Sequence, residues 1–579
     1  MAETKLSLIG FLFFVLVFLT QGILFIQANS QTVDEAMHLA AGYSYLIKRD
    51  FRIEPQNPPL IKELLALPVL IAYRLPFHPD PQHWRDADGY LIGQDLLYRS
   101  TPTAEQILAL SRFPNLFLGG VLVALIGWWA YRLWGNRAAL LAMGLASFEP
   151  NLIAHSSLVT TDIGVTMFIF LTMYLFWEYV NHPTWRLLVG IGVSTGMALA
   201  AKFSAVLVLP IIALIVSVSL LTRSGLDVPL PKKLKPTAPR HKLLEATAVL
   251  SLIGFVATLV ISSAYLFQGF QLWLSGFYQF LTLSQEGLPA FFLGEYSWHN
   301  WWSYFPVVFL LKTPLGSLVI ITISLVFHRT GSPLAYRQAL FLVLPVILIF
   351  LAMTQAKTNI GLRHILPVYP FLFVLASRVV TLRFYRYSIT RFLIGIPVAW
   401  MAISSLRVAP HHLAYFNELA GGPEQGYRYL SDSNVDWGQD LKGLKAYVER
   451  EKLPIIYLSY FGTAPPSYYN IRYQDVASKG ILEPHPHEKV PTDAPRKILA
   501  ISVYNLQNVS SPDDPFFRWL HAREPIAKIG YSIFVYDLTD DREGLRKLEE
   551  ITIHRHSAAS IRTAKFVPSF GGHAFVSSE

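Results

Sequence analysis

Cysteine is absent from the 579 residues. Disulfides, zinc-thiolate sites and thiol nucleophiles are thereby excluded, so any chemistry must use oxygen and nitrogen groups. Charge is scarce too: 15% of residues are Asp, Glu, Lys or Arg, against 53% hydrophobic and 14% aromatic. That balance is too apolar for a soluble chain of this length and reads as a polytopic membrane protein. The net charge of +9 does not point to nucleic acid, because the basic residues are scattered among short inter-helix segments rather than gathered into a phosphate-tracking patch. No internal repeat of the inverted-transporter kind is visible.

What is present is a series of apolar runs, at 5–27, 113–131, 138–154, 162–180, 187–201, 203–222, 243–267, 304–327, 338–354, 364–381 and 391–407, about eleven expected membrane spans. Ala28-Asn29-Ser30 has the small residues of a signal-cleavage site. The run before it, however, is of membrane-spanning length rather than the ~7–15 residues of a signal core, and is read as the first helix. With the N-terminus taken as cytoplasmic, the segments 131–137, 178–186, 223–242, 328–337 and 383–391 fall inside, and each carries Lys or Arg, as orientation in a cell (inner) membrane requires. The Pro- and Lys-rich segment 223–242 reads as a cytoplasmic linker dividing six helices from five, or as a binder of anionic headgroups.

The expected domain organisation is a membrane part over 1–407, with a first external loop at 28–112, then an external α/β domain over 408–550 and a poorly ordered tail over 551–579. Within the first loop, 35–49 and 58–73 have helical apolar spacing and are expected to lie along the membrane surface. In the C-terminal part, IIYLSYF (455–461), KILAISV (497–503) and YSIFVYDL (531–538) read as strands.

The polar residues of interest fall on the external side. Asp34 and Glu35 follow directly on the first span, and Asp162 opens the fourth, where an ionisable group is costly unless paired, hydrated or functional. The plain alternatives are a solvated acidic pair and, for Asp162, a helix N-cap shared with Thr160 or Thr161. Lys202, Lys312, Lys357, Arg363 and His364 lie near the same level; snorkelling from helix ends is their plain reading, and binding a lipid phosphate the functional one. SDSNVDWGQD (431–440) has the alternating acids of a calcium loop, but Gly438 is one place late and position twelve is Gly443, so a hydrogen-bonded turn that docks the external domain is preferred. The aromatic group at 296–305 reads as an interfacial belt or a sugar-stacking platform.

Together, VDEAMHLAAGYSYL, NPPLIKELLALP, TTDIG and GLRHILPVYPF, in this order and on one side, resemble the GT-C glycosyltransferases. In particular the chain resembles bacterial members of the protein O-mannosyltransferase superfamily, glycosyltransferase family thirty-nine in its broad sense, including relatives that glycosylate lipid A. The resemblance implies an inverting transfer of sugar from a polyprenyl-phosphate carrier to an acceptor on the external face. It places Asp34 as general base, Glu35 and Asp162 as acceptor- or sugar-orienting acids, and Lys202, with Arg363 and His364, at the donor phosphate. No divalent metal is obligatory by this resemblance, although the oligosaccharyltransferase branch uses one. The 268–303 loop is too short for the β-trefoil insert of the eukaryotic enzymes, which weighs against a protein Ser/Thr acceptor and leaves lipid, glycan and small-molecule acceptors open. The competing class is a transporter or flippase whose charges line a pathway.

Overall fold

The computed structural model describes residues 7–221, 230–231, 242–298, 300–326, 333–381, 387–480, 488–509 and 516–559. The 223–242 linker and the tail beyond 559 lie almost wholly outside these residues.

Among the described residues, five helices are long and apolar enough to cross a membrane: Leu8–Ala28, Ala104–Trp134, Asp162–Asn181, Phe203–Leu221 and Lys242–Ala264. Shorter apolar helices, Trp185–Ala201, Leu340–Met353, Val368–Thr381 and Phe392–Val408, accompany them. The chain is a multi-pass membrane protein. Leu8–Ala28 starts where Ser7 accepts a bond from the Gly10 N–H, and it stops where the Asn29 backbone and side-chain N–H groups both donate to the Phe25 carbonyl.

Two of the expected straight spans are broken. The run 304–327 is two helices, Tyr304–Lys312 and Leu315–Val326, bent by 113°. Pro314 bars the helical conformation at the residue before it, and Thr313 is extended. The run 138–154 is likewise split into Asn136–Ser147 and Pro150–Ser156, with Glu149 as the cap and Pro150 at the first helical position.

The first-loop helices form at Glu35–Lys48 and Leu60–Tyr73, close to expectation. The first is packed inside the protein, with every residue from Glu35 to Tyr45 buried. Gly42 and Gly93 allow this packing, since a Cβ on Gly42 would collide with the Lys62 carbonyl and one on Gly93 with the Ala36 backbone. Beneath the packing lies a buried polar knot in which Lys62 Nζ donates to Tyr45 Oη (2.8 Å) and to the carbonyls of Glu54 and Asn57. His38 Nδ1 lies 2.7 Å from Glu54 Oε2. Burial would raise the Glu54 carboxyl, but His38 and Lys62 bring it down to about 2.

Glu63 has no comparable support. Its Oε1 is buried without a hydrogen-bond partner among the described residues, and burial pushes its carboxyl up to about 8 against the pull of Lys62. A carboxyl raised on folding contributes stability below its ordinary range and loses it as pH rises through the folded value. The thermal midpoint in detergent is therefore expected to fall as pH rises from about 4.5 to about 8, and Glu63→Gln, which stays neutral, to flatten that fall by a few degrees. A Gln variant that tracks the wild-type curve would rule out Glu63 as the group responsible.

The C-terminal domain is built on a five-stranded mixed sheet. Its strands are β3 (Ile456–Ser459), β4 (Tyr473–Asp475), β5 (Ile498–Ser502), β6 (Ala527–Ile529) and β7 (Ile533–Asp537), following the hairpin β1 (Ala290–Phe292) and β2 (Glu295–Ser297). The order is β4-β3-β5-β7-β6, parallel across β4, β3 and β5 and antiparallel at β5–β7 and β7–β6. Helix Leu441–Arg450 lays Leu441, Leu444, Tyr447 and Val448 on one face of the sheet. The final helix, Arg542–Ala559, continues past the expected start of the tail at 551. The β1–β2 hairpin, unanticipated within 268–303, joins the domain through Leu293 N–H to the Tyr429 carbonyl (2.8 Å). The 296–305 aromatics are divided, with Trp298 and Trp302 exposed and Tyr304 and Phe305 buried.

Candidate active site

Asp34 sits where the chain turns from the first span into helix Glu35–Lys48. Its side chain makes no capping bond, is 18% exposed, and receives one ion pair, from Arg363 Nη1 at 3.2 Å. Glu35 is entirely different. Arg112 donates to it through Nε (2.8 Å) and Nη2 (2.6 Å), and the Thr32 and Val159 backbone N–H groups add two bonds of 2.8 Å. Arg112 also caps the carbonyls of Ile26, Asn29 and Ser30 at the end of the first span. Burial would raise the Glu35 carboxyl, but Arg112 and these bonds hold it below the ordinary range. Adjacent residues on a helix face about 100° apart, so the two acids meet unlike surroundings: one faces the site, the other the framework.

The segment leading to Asp34 is clamped by the C-terminal domain. Ser30 N–H donates to the Gln439 carbonyl (2.8 Å), Val33 N–H to the Trp437 carbonyl (3.0 Å), and Leu441 N–H to Ser30 Oγ (3.1 Å). Thr463 Oγ1 donates to the Val33 carbonyl (2.9 Å). The acids of 431–440 are spent inside this turn. Asp436 accepts from Gly438 and Tyr504 N–H, Asp440 accepts from Ser532 Oγ, and Asn434 Oδ1 accepts from Leu362 N–H (3.0 Å). The geometry is that of a docking turn. Burial pushes the Asp432 carboxyl up to about 6, with Arg363 drawing it down and Asp34 adding to the rise.

Asp162 and Lys202 form a second pair, Lys202 Nζ lying 2.6 Å from Asp162 Oδ1. Asp162 begins helix Asp162–Asn181, and Lys202 caps the C-terminus of the next helix, Trp185–Ala201. Two consecutive antiparallel helices bring those ends together, and each charge complements its helix dipole. Arg363 acts electrostatically on both Asp34 and Asp162, and Lys202, Arg363, Asp162 and His155 all act on His364, so the two pairs belong to one cluster. His364 lies on the turn Leu362–Ile365, its ring edge-on to Phe305 at 6.2 Å. Arg363 Nε, His364 Nε2 and His155 Nδ1 are buried and find no hydrogen-bond partner among the described residues.

The structure thus gathers Asp34, Asp162, Lys202, Arg363 and His364, and sets Glu35 behind them. Lys357 instead donates to the Gln285 carbonyl, and Lys312 to the Leu413 and Asn434 carbonyls. Three residues of the cluster escaped the sequence reading. Arg112 interrupts an otherwise apolar run, a signal that could have flagged it; His155 and Trp437 carry none beyond their chemistry. Among the described residues, no three His, Asp or Glu side chains are grouped to hold a metal ion.

The family model for dolichyl-phosphate-mannose-protein mannosyltransferases matches residues 11–266, a stretch that contains Asp34, Glu35, Asp162 and Lys202. The resemblance drawn from the sequence stands over that stretch. No curated protein sequence matches the chain. Among solved structures, the chain is similar to ArnT from Cupriavidus metallidurans bound to undecaprenyl phosphate, at 13% identity and TM-score 0.47 over 91% of this chain and 97% of that one. It is similar to the oligosaccharyltransferase of Archaeoglobus fulgidus, at 13% identity and TM-score 0.44 over 85% and 62% of the two chains. It also matches the Saccharomyces cerevisiae protein O-mannosyltransferase Pmt1-Pmt2 complex bound to the sugar donor, at 18% identity and TM-score 0.30 over 49% and 35%.

Proposed function

We propose that the chain is a glycosyltransferase that moves a sugar from a polyprenyl-phosphate carrier to an acceptor hydroxyl at the external face of the cell (inner) membrane. The observation that carries this reading is the unlike treatment of two adjacent acids. Glu35 is consumed by the framework, while Asp34 keeps its carboxylate uncapped beside Arg363 and the Asp162–Lys202 pair. The family match over residues 11–266, which hold all of these residues except Arg363, agrees with it.

The acceptor oxygen attacks the anomeric carbon as Asp34 takes its proton, and the bond from that carbon to the phosphate oxygen breaks with its electron pair leaving on phosphate. One displacement inverts the anomeric centre. Arg363 and Lys202 meet the charge that grows on the departing phosphate, Asp162 holds Lys202 in place, and His364 supplies a ring nitrogen at the same spot. This assigns charge neutralisation to side chains, and no divalent metal is required. The acceptor hydroxyl is carried by a lipid, a glycan, a small molecule or a protein.

The test is transfer by the protein in nanodiscs, using the lipid-linked sugars extracted from a strain lacking it as donor. Labelled product is expected with wild type, and Lys202→Ala is expected to lower kcat/KM for the donor by about 10²-fold. Uptake of the substrate into proteoliposomes with no covalent product would overturn the transferase in favour of a transporter.

A further inference from the structure

Trp437 reaches the Asp34–Arg363 pair by two routes, one through the residue before Asp34 and one through Arg363 itself. Its carbonyl accepts the Val33 N–H at 3.0 Å, one residue before Asp34. Its indole lies under the Arg363 guanidinium, 4.3 Å from Cζ to the ring centroid. The same ring packs against the edge of His155, with centroids 6.3 Å apart, and is 2% exposed. It is seated with Phe25, Ala154, Leu158 and Leu413 in a small apolar cluster, and the Trp437 backbone N–H donates to Gln439 Oε1 at 2.8 Å. The ring is thus buried among apolar neighbours and His155, on a backbone tied at both its N–H and its carbonyl. Among the described residues Arg363 has Nε unpartnered and one 3.2 Å ion pair, so its plane is set chiefly by that ring, since a guanidinium over an indole face is held both by the ring quadrupole and by stacking.

We propose that Trp437, contributed by the C-terminal domain, is a positioning residue of the membrane site: it holds the Arg363 guanidinium flat and in reach of a lipid-linked phosphate, so that the site is incomplete without that domain's docking turn. The inference rests on the transferase reading, which makes phosphate the ligand of Arg363.

The experiment is equilibrium binding of a polyprenyl monophosphate to the full-length protein in detergent. Wild type, Trp437→Leu, Trp437→Phe, Arg363→Gln and the Trp437→Leu/Arg363→Gln double variant are compared. Trp437→Leu is expected to weaken binding by about 10-fold and Trp437→Phe by less, because the smaller ring keeps a face. In the Arg363→Gln background, Trp437→Leu is expected to add nothing. An equal loss in both backgrounds would mean that Trp437 only supports the fold, and would overturn the proposal, as would unchanged binding by Trp437→Leu. Should the Leu variant fail to fold, the Phe variant in the two Arg363 backgrounds makes the same comparison. Wild-type protein that does not bind the lipid phosphate overturns the transferase reading itself, a result distinct from binding that ignores Trp437.

Discussion

Asp34→Asn is expected to lower transfer by about 10²- to 10⁴-fold, the range a positioned general base supplies, while yield and thermal midpoint stay near wild type. The fold has little to lose at this position. The Asp34 side chain caps no helix, and among the described residues it makes one bond, a 3.2 Å pair with Arg363. Arg363 also feels Asp162 and Asp432, so replacing Asp34 leaves its guanidinium with opposite charges nearby. The amide matches the carboxylate in shape but cannot take a proton from the acceptor, so activity alone should fall. Transfer assays beside thermal unfolding of the same preparation separate the two effects. Full activity in Asp34→Asn would remove Asp34 as the base.

The neighbouring substitution is expected to do the reverse. Glu35→Ala strands the Arg112 guanidinium, 1% exposed, without its counter-ion, and leaves the Thr32 and Val159 N–H groups without their acceptor. Removing one partner of a buried ion pair costs about 3–5 kcal/mol, set against a total stability on the order of 5–15 kcal/mol for a domain. The expected result is a steep loss of monodisperse protein and of thermal midpoint. Replacing the pair together, with Glu35→Leu and Arg112→Met, should recover only part, because Arg112 also caps three carbonyls at the end of the first span. A Glu35→Ala protein as stable as wild type but inactive would make Glu35 the catalytic acid and reverse the assignment. The two measurements together decide which carboxylate takes the proton, a choice that side-by-side residues cannot reveal in one dimension.

Much of the architecture was legible because it is written locally. The apolar run 5–27 covers all but the last residue of the helix Leu8–Ala28, the helical spacing at 35–49 and 58–73 matches two helices, and 455–461, 497–503 and 531–538 each contain a strand. What failed was also local in cause. Thr313-Pro314 and Glu149-Pro150 interrupt runs whose hydropathy is continuous, and hydropathy does not register a backbone break. Strands β4 and β6, of three residues each, are too short for their alternation to show.

The sequence by itself determined that the chain is a membrane protein, that its chemistry uses no thiol, and that acids and cations collect at the ends of particular spans. These follow from composition and from periods of two and 3.6 residues, which each segment carries alone. Only the tertiary structure decided how those charges are partnered. Arg112 belongs to Glu35, Arg363 to Asp34 and Lys202 to Asp162, and Trp437 reaches Val33 from about four hundred residues away. In a low-dielectric interior a charge is stabilised by whichever opposite charge and donors come within a few ångströms. Distance along the chain says nothing about which those are; the packing of the spans and the docking of the C-terminal turn do.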